Sequence, residues 1–155
     1  MIDPIQRFED EHREALEVLD ALEGAARSLV RDAGQGAAAA GGDEVHFAAA
    51  RSAYDFLSSA VREHNENEEL ALFPLLGEDA PTEPFVEDHI ALRAMERRLL
   101  GAIEERDPAA LAAAGLAIVE TLRDHIDRED HVLFPLARER LGPEGLLEVA
   151  RRLSG

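Results

Sequence analysis

Residues 62–75 read REHNENEELALFPL, and residues 123–136 read RDHIDREDHVLFPL. The two stretches share the frame R-[DE]-H-x-x-x-E-[DE]-x-x-L-F-P-L, so the chain repeats itself. A weaker match pairs Phe8 and His12 with Phe85 and His89. The repeat predicts two helical hairpins, each with a histidine in its first helix and His-x-x-x-Glu in its second.

Apolar residues recur every three to four positions through most of the chain, and no segment alternates apolar and polar residues as a strand does. We therefore predict an all-α fold, an up-down-up-down four-helix bundle. The four periodic stretches cover residues 5–29, 47–75, 85–103 and 111–136. Between and after them lie a Gly/Ala-rich linker over 34–42, a Gly/Pro segment over 77–84, a corner at Asp107-Pro108 and a stop at Gly142-Pro143. We expect one domain over 1–155, with the bundle at about 3–140 and a tail over 141–155 that has room for a short fifth helix.

Composition limits the function. The 155 residues include 33 acidic and 16 basic ones, a formal net charge of −17, which argues against nucleic acid or an anionic membrane surface as a partner. Cysteine is absent, so disulfides, thiolate metal sites and cysteine nucleophiles are excluded. The N-terminus lacks the features of a signal peptide, and no apolar run is long enough for a membrane span. We expect a cytoplasmic protein.

Six polar residues occupy positions that the helical period assigns to the core. They are His12, His64, Glu68, His89, His125 and Glu129. A buried carboxylate is costly unless it is paired or binds a metal. Along the helices, His12 and His64 both fall about 30 Å from their shared turn at 1.5 Å per residue. His89 lies 16 residues before position 105 and His125 lies 16 residues after 109. All four imidazoles are therefore predicted to meet in one layer of the bundle.

Four imidazoles and two carboxylates favour Fe, Mn or Zn. They exceed the four ligands of a structural zinc and suit two metals about 3.5–4 Å apart, with one coordination position open to a small molecule. A single histidine on an apolar face is more often an ordinary core residue, but the repetition of the pair favours a metal site. By contrast, we predict that His131 and His46 are not ligands. The acidic residues beside the six positions could hydrogen-bond to the histidines, but we favour a solvated face for them. They are Glu11, Glu63, Glu66, Glu69, Asp88, Asp124, Asp127 and Asp130.

These motifs resemble the haemerythrin-like (HHE cation-binding) family over about residues 3–140. The resemblance implies a non-haem centre of two iron ions, carboxylate- and oxo- or hydroxo-bridged. One iron would take His12 and His64, the other His89 and His125, with Glu68 and Glu129 bridging. Oxygen-carrying members have a fifth histidine four residues after the third, where this chain has Arg93. This departure favours peroxide or NO chemistry, oxygen or iron sensing, or iron holding over reversible oxygen carriage.

Three functions fit this pattern. The first is a binding protein whose di-iron centre binds or senses O2, NO or peroxide. The second is an enzyme, a di-iron peroxidase, oxidase or NO-reducing protein supplied with electrons by a protein donor. The third is an iron-sensing or purely structural metal-binding bundle. No cofactor motif or phosphate-binding loop accompanies the histidines, so we favour a binding protein over an enzyme, and the sequence leaves the oligomeric state open.

Overall fold

The computed structural model describes residues 3–34 and 40–155, and these residues contain helices and no strand. Helix α1 spans Pro4–Gly34. Helix α2 covers 40–76 and consists of Ala40–Phe56, Leu57–Val61, Arg62–Asn67, Glu68–Leu72 and Phe73–Leu76. Helix α3 spans Glu83–Glu104. Helix α4 covers 108–154 and consists of Pro108–Arg128, Glu129–Leu133 and Phe134–Ser154. The all-α prediction is confirmed for this part of the chain.

The helix boundaries follow the predicted breaks. Asp107 caps α4 by accepting a hydrogen bond from the Ala110 amide at 3.1 Å, and Pro108 occupies the first turn. Within α4 the backbone of Gly142 leaves helical geometry, with φ 60° and ψ −173°. Of the predicted linker, residues 35–39 lie outside the described part of the chain, and α2 already begins at Ala40.

Three of the helical segments are π turns, Leu57–Val61, Glu68–Leu72 and Glu129–Leu133. Two of them begin at a glutamate of the repeat and end just before its Phe-Pro pair. A proline has no amide hydrogen and its ring crowds the carbonyl four residues earlier, so a regular α turn is disfavoured there. Instead, the Phe73 amide donates to the carbonyl five residues back, that of Glu68. Each proline of the repeat, Pro74 and Pro135, thus follows a π turn that holds one extra residue after the glutamate.

The core consists of two apolar clusters. Helix α1 packs along α2 and along the first part of α4, and α3 packs along that same part of α4. The larger cluster includes Leu19, Leu99 and Ile118, and the smaller one includes Phe8 and Phe134. Along every helix the predicted polar residues fall between members of the two clusters, so they form a polar layer across the bundle. In the described ranges, no helix is both long and apolar enough to cross a membrane.

Candidate metal centre

The six predicted polar residues are all buried and lie together. His12, His64, His89 and His125 retain at most 6% of their surface exposed, and Glu68 and Glu129 retain none. The predicted convergence of the four imidazoles in one layer is therefore confirmed. Their donor atoms form two groups within which every pair of atoms lies within 4.8 Å. One group is His12, His64, Glu68 and Glu129, and the other is His89, His125, Glu68 and Glu129.

Each glutamate connects the two hairpins. Glu68 lies 3.5 Å from Nε2 of His64 on its own helix and 3.3 Å from Nε2 of His89 on α3. Glu129 lies 3.4 Å from Nε2 of His125 on its own helix and 2.9 Å from Nε2 of His12 on α1. The separation of four residues places each His and Glu of a pair on one helix face. Both carboxylates therefore belong to both groups.

Several donor atoms at the centre of this layer lack a hydrogen-bond partner among the described residues. Both carboxylate oxygens of Glu68 and of Glu129 are buried without one, as are the Nε2 atoms of His89 and His125. Nε2 of His12 also lies only 3.1 Å from Nε2 of His64. Buried polar atoms are almost always satisfied in native proteins. Lone pairs of nitrogen and oxygen that converge in this way fit a divalent cation of the Fe, Mn or Zn type.

The outer nitrogen of each of the four histidines in the layer is hydrogen-bonded to a carboxylate of a neighbouring helix. Nδ1 of His12 donates to Asp130 at 2.7 Å, and that of His64 donates to Glu11 at 2.8 Å. The second hairpin has the same arrangement. Nδ1 of His89 donates to Glu69 at 2.7 Å, and that of His125 donates to Asp88 at 3.0 Å. Such bonds fix the ring orientation and leave Nε2 free for a metal.

These four contacts correct the prediction of a solvated face. Glu11, Glu69, Asp88 and Asp130 are half-buried because the direction about 100° around the helix from a core residue faces the adjacent helix at this level. The remaining four acidic residues are exposed, as predicted: Glu63, Glu66, Asp124 and Asp127. The repeat contained a pattern that could have predicted these four contacts. Glu11 and Asp88 both precede the first histidine of a hairpin, whereas Glu69 and Asp130 both follow its glutamate.

The carboxylates and imidazoles of the layer shift one another's pKa values. Burial lowers the pKa of His125, but Glu129 and Asp88 outweigh burial and raise that pKa to about 9. Burial also lowers the pKa of His64, yet Glu68 and Glu11 hold it well above its ordinary value. Burial raises the pKa of Glu129, but the neighbouring imidazoles of His12, His125 and His64 hold it well below the usual range. The carboxylates thus stabilise positive charge at the histidines, whether a proton or a metal cation carries it.

An aromatic ring packs on each histidine from the side of the smaller cluster. Phe134 stacks on His12 with ring centroids 5.3 Å apart, and Phe8 meets the edge of His64 at 5.2 Å. In the second hairpin the corresponding pairs are Phe73 on His89 at 6.1 Å and Phe85 against His125 at 5.6 Å. These rings close one side of the layer to water.

Two histidines and one arginine lie apart from the layer. His131 is exposed and its Nδ1 donates to the Asp127 carbonyl at 2.9 Å, while His46 lies 3.8 Å from Asp32. Arg93 is 40% exposed and its guanidinium lies 3.8 Å from Glu66. No fifth imidazole is therefore available at that position, and each group has two imidazoles and the two shared carboxylates.

Sequence reasoning passed over one residue that lines a cavity beside the layer. Asn65 is only 5% exposed and directly follows His64. Its counterpart in the repeat is the apolar Ile126. An amide at a position where the other repeat has an apolar core residue could have identified Asn65 from the sequence.

The comparisons with known proteins agree with this geometry. The family model for the hemerythrin HHE cation binding domain matches residues 3–137. No curated protein and no solved structure matches the chain significantly.

Proposed function

The chain belongs to the hemerythrin HHE cation-binding family, and from this premise we propose that it holds two iron ions at a carboxylate-bridged centre and binds or senses O2, NO or peroxide there. One observation carries the proposal. Two groups of four buried donors share both carboxylates, and most of the shared oxygens and facing nitrogens have no other partner among the described residues.

The ligand set follows from the two groups. His12 and His64 would hold one ion, His89 and His125 would hold the other, and Glu68 and Glu129 would contact both. Iron would supply a site at which a small oxygen- or nitrogen-containing molecule binds and exchanges electrons. The chain contributes the fixed rings, their carboxylate partners and the aromatic side that excludes water. A binding or sensing role needs no further catalytic group, and an oxidase or peroxidase remains the alternative.

Arg93 bears on which of these roles is supported. Because its side chain pairs with Glu66 outside the layer, the two groups have equal numbers of imidazoles. An extra histidine would fill the coordination sphere of one ion and leave an open position only on the other. A centre with matched halves would lack this asymmetry. We therefore favour ligand binding or sensing over reversible oxygen carriage.

The test is the metal content of protein purified from iron-supplied cells. We expect two iron ions per chain by elemental analysis, together with a change in the visible spectrum on addition of NO or peroxide. A matched variant, Glu68→Ala with Glu129→Ala, is expected to retain helical circular dichroism and to lose the iron. Folded wild-type protein that binds no metal would overturn the proposal.

We also propose that the helices run up-down-up-down. Contacts at two levels support opposite directions for α1 and α2, because His12 lies 3.1 Å from His64 and Asp32 lies 3.8 Å from His46. The break at Gly142 supports a separate short helix in the tail of a single domain over 1–155. Spin labels at exposed positions beside these contacts, 13 and 63 at one level and 31 and 44 at the other, would show two short distances in an antiparallel pair.

A further inference from the structure

A cavity of about 250 Å³ lies on the side of the polar layer away from the phenylalanine rings. His12, His64 and His125 contribute to its wall, and apolar side chains of the larger cluster such as Ala15 and Leu122 complete it. Because aromatic rings close the other side, a molecule that approaches the layer through this cavity meets three of the four imidazoles.

The cavity contains a buried amide that the fold does not use. Asn65 is 5% exposed, and its side chain makes no hydrogen bond to another side chain or to the backbone in the described part of the chain, unlike its neighbours Arg62 and His64. The equivalent residue of the second repeat, Ile126, is 3% exposed and lines the same cavity. An apolar side chain therefore suits this position of the bundle. The Asn65 amide is not among the polar atoms that are sealed from solvent, so it is reachable from the cavity and can hydrogen-bond to a molecule held there.

The mouth of the cavity is acidic. Glu14 and Glu63 are exposed there, and the half-buried Glu11 lies 3.6 Å from Arg7, the one arginine of the lining. At the mouth itself, outside the imidazoles of the wall, one arginine and three glutamates leave a net negative charge, on a chain whose formal charge is already −17. Such a mouth repels small anions and admits uncharged molecules.

We propose that this cavity binds a small uncharged molecule that accepts a hydrogen bond, of the class of NO or hydrogen peroxide. The Asn65 amide donates that bond, and the carboxylates at the mouth disfavour anions. The inference rests on the proposed metal centre, which would hold the other end of the ligand.

The first test replaces the amide by a side chain of similar size, Asn65→Leu, with Asn67→Leu on the same helix as the control outside the cavity. Both proteins are loaded anaerobically with Fe²⁺, and NO binding is titrated by absorbance. We expect Asn65→Leu to weaken NO binding about fivefold to twentyfold, the loss of one hydrogen bond, and Asn67→Leu to leave it unchanged. Unchanged NO affinity in Asn65→Leu would overturn the proposal.

A second readout does not use the metal. Because the amide has no partner in the described chain, metal-free Asn65→Leu is expected to unfold at the same temperature as wild type or higher. A lower unfolding temperature combined with unchanged NO affinity would make Asn65 a structural residue. Wild-type protein without iron would instead contradict the metal centre itself, so the two failures are distinguishable.

The charge selection is tested with azide, a small anion. Glu14→Gln with Glu63→Gln is expected to raise azide affinity severalfold at low salt and to leave NO affinity unchanged. Glu17→Gln with Glu120→Gln, two exposed residues outside the cavity, removes the same charge elsewhere. Equal azide affinities in the two double variants would refute selection at the mouth.

Discussion

Nδ1 of His12 lies 2.7 Å from a carboxylate oxygen of Asp130, a residue 118 positions further along the chain. The contact joins α1 to the second π turn of the repeat, and Glu69 makes the same contact with His89 at 2.7 Å in the other hairpin. Because an outer carboxylate fixes the orientation of an imidazole and increases its basicity, removal of this partner weakens metal binding without removal of a ligand.

We therefore predict that Asp130→Ala lowers metal affinity by about 10–100-fold, the usual effect of such a partner. Glu69→Ala should behave alike, since it holds the equivalent ring. Competition with a chelator of known affinity measures the effect. The control is Asp127→Ala, an exposed acidic residue on the same helix. If Asp130→Ala and Asp127→Ala bound metal equally well, the outer carboxylate would have no role in binding.

The sharing of carboxylates predicts unequal effects of single ligand changes. His89 belongs to one group of donors, so His89→Ala should leave the other group complete and about one tightly held metal per chain. Glu68 belongs to both groups, so Glu68→Gln should weaken both positions and leave less metal than His89→Ala. Elemental analysis after dialysis against a chelator measures this. Equal metal contents would show that Glu68 does not bridge.

The layer could be predicted from the sequence because carboxylates and imidazoles at core positions are unfavourable unless they are paired or bind a metal. Glu68 and Glu129 occupy core positions of a 3.6-residue period, and the repeat places them at equal levels. Periodicity along one helix does not reveal what lies on the adjacent helix. For that reason the contacts of Asp130 with His12 and of Glu69 with His89 were missed.

The π turns were also beyond the sequence pattern. Pro74 and Pro135 each disfavour a regular α turn. A kink, a helix end and a wider turn all relieve the clash between the proline ring and the carbonyl four residues earlier, so the proline alone does not predict which of them forms. Packing of Phe73 and Phe134 beneath the histidines accompanies the wider turn in the folded chain. Such choices depend on tertiary contacts, which a single sequence does not contain.

Metal removal is predicted to lower the stability of the whole bundle. The cation binds donors that converge only in the folded chain, so binding free energy is added to folding free energy. At a free metal concentration about a thousand times the dissociation constant, this contribution is about 4 kcal/mol. Urea denaturation with and without a chelator measures the difference. Glu68→Ala with Glu129→Ala should show almost no difference, and an equal difference in that variant would place the stabilising metal elsewhere.

A buried carboxylate outside the layer predicts a dependence of stability on pH. Glu96 is 4% exposed, and burial raises its pKa from the ordinary 4.5, although Arg62, Arg93 and Arg97 act in the opposite direction. An acid whose pKa is higher in the folded state binds more protons there than in the unfolded state. Between the two pKa values the free energy of unfolding therefore falls as the pH rises.

The matched variant Glu96→Gln keeps the shape and cannot ionise. Relative to this variant, wild type is expected to lose stability as the pH rises from about 4, through the pKa of Glu96 in the folded protein, to about 7. Above that pKa the buried carboxylate is charged, and its partner Arg62, 3.2 Å away, offsets only part of the cost. Urea denaturation of both metal-free proteins across this range measures the difference. Glu66→Gln, which removes an exposed carboxylate, is the control and should show the same dependence of the unfolding free energy on pH as wild type. If the difference between wild type and Glu96→Gln did not change with pH, the pKa of Glu96 would be the same in the folded and unfolded states.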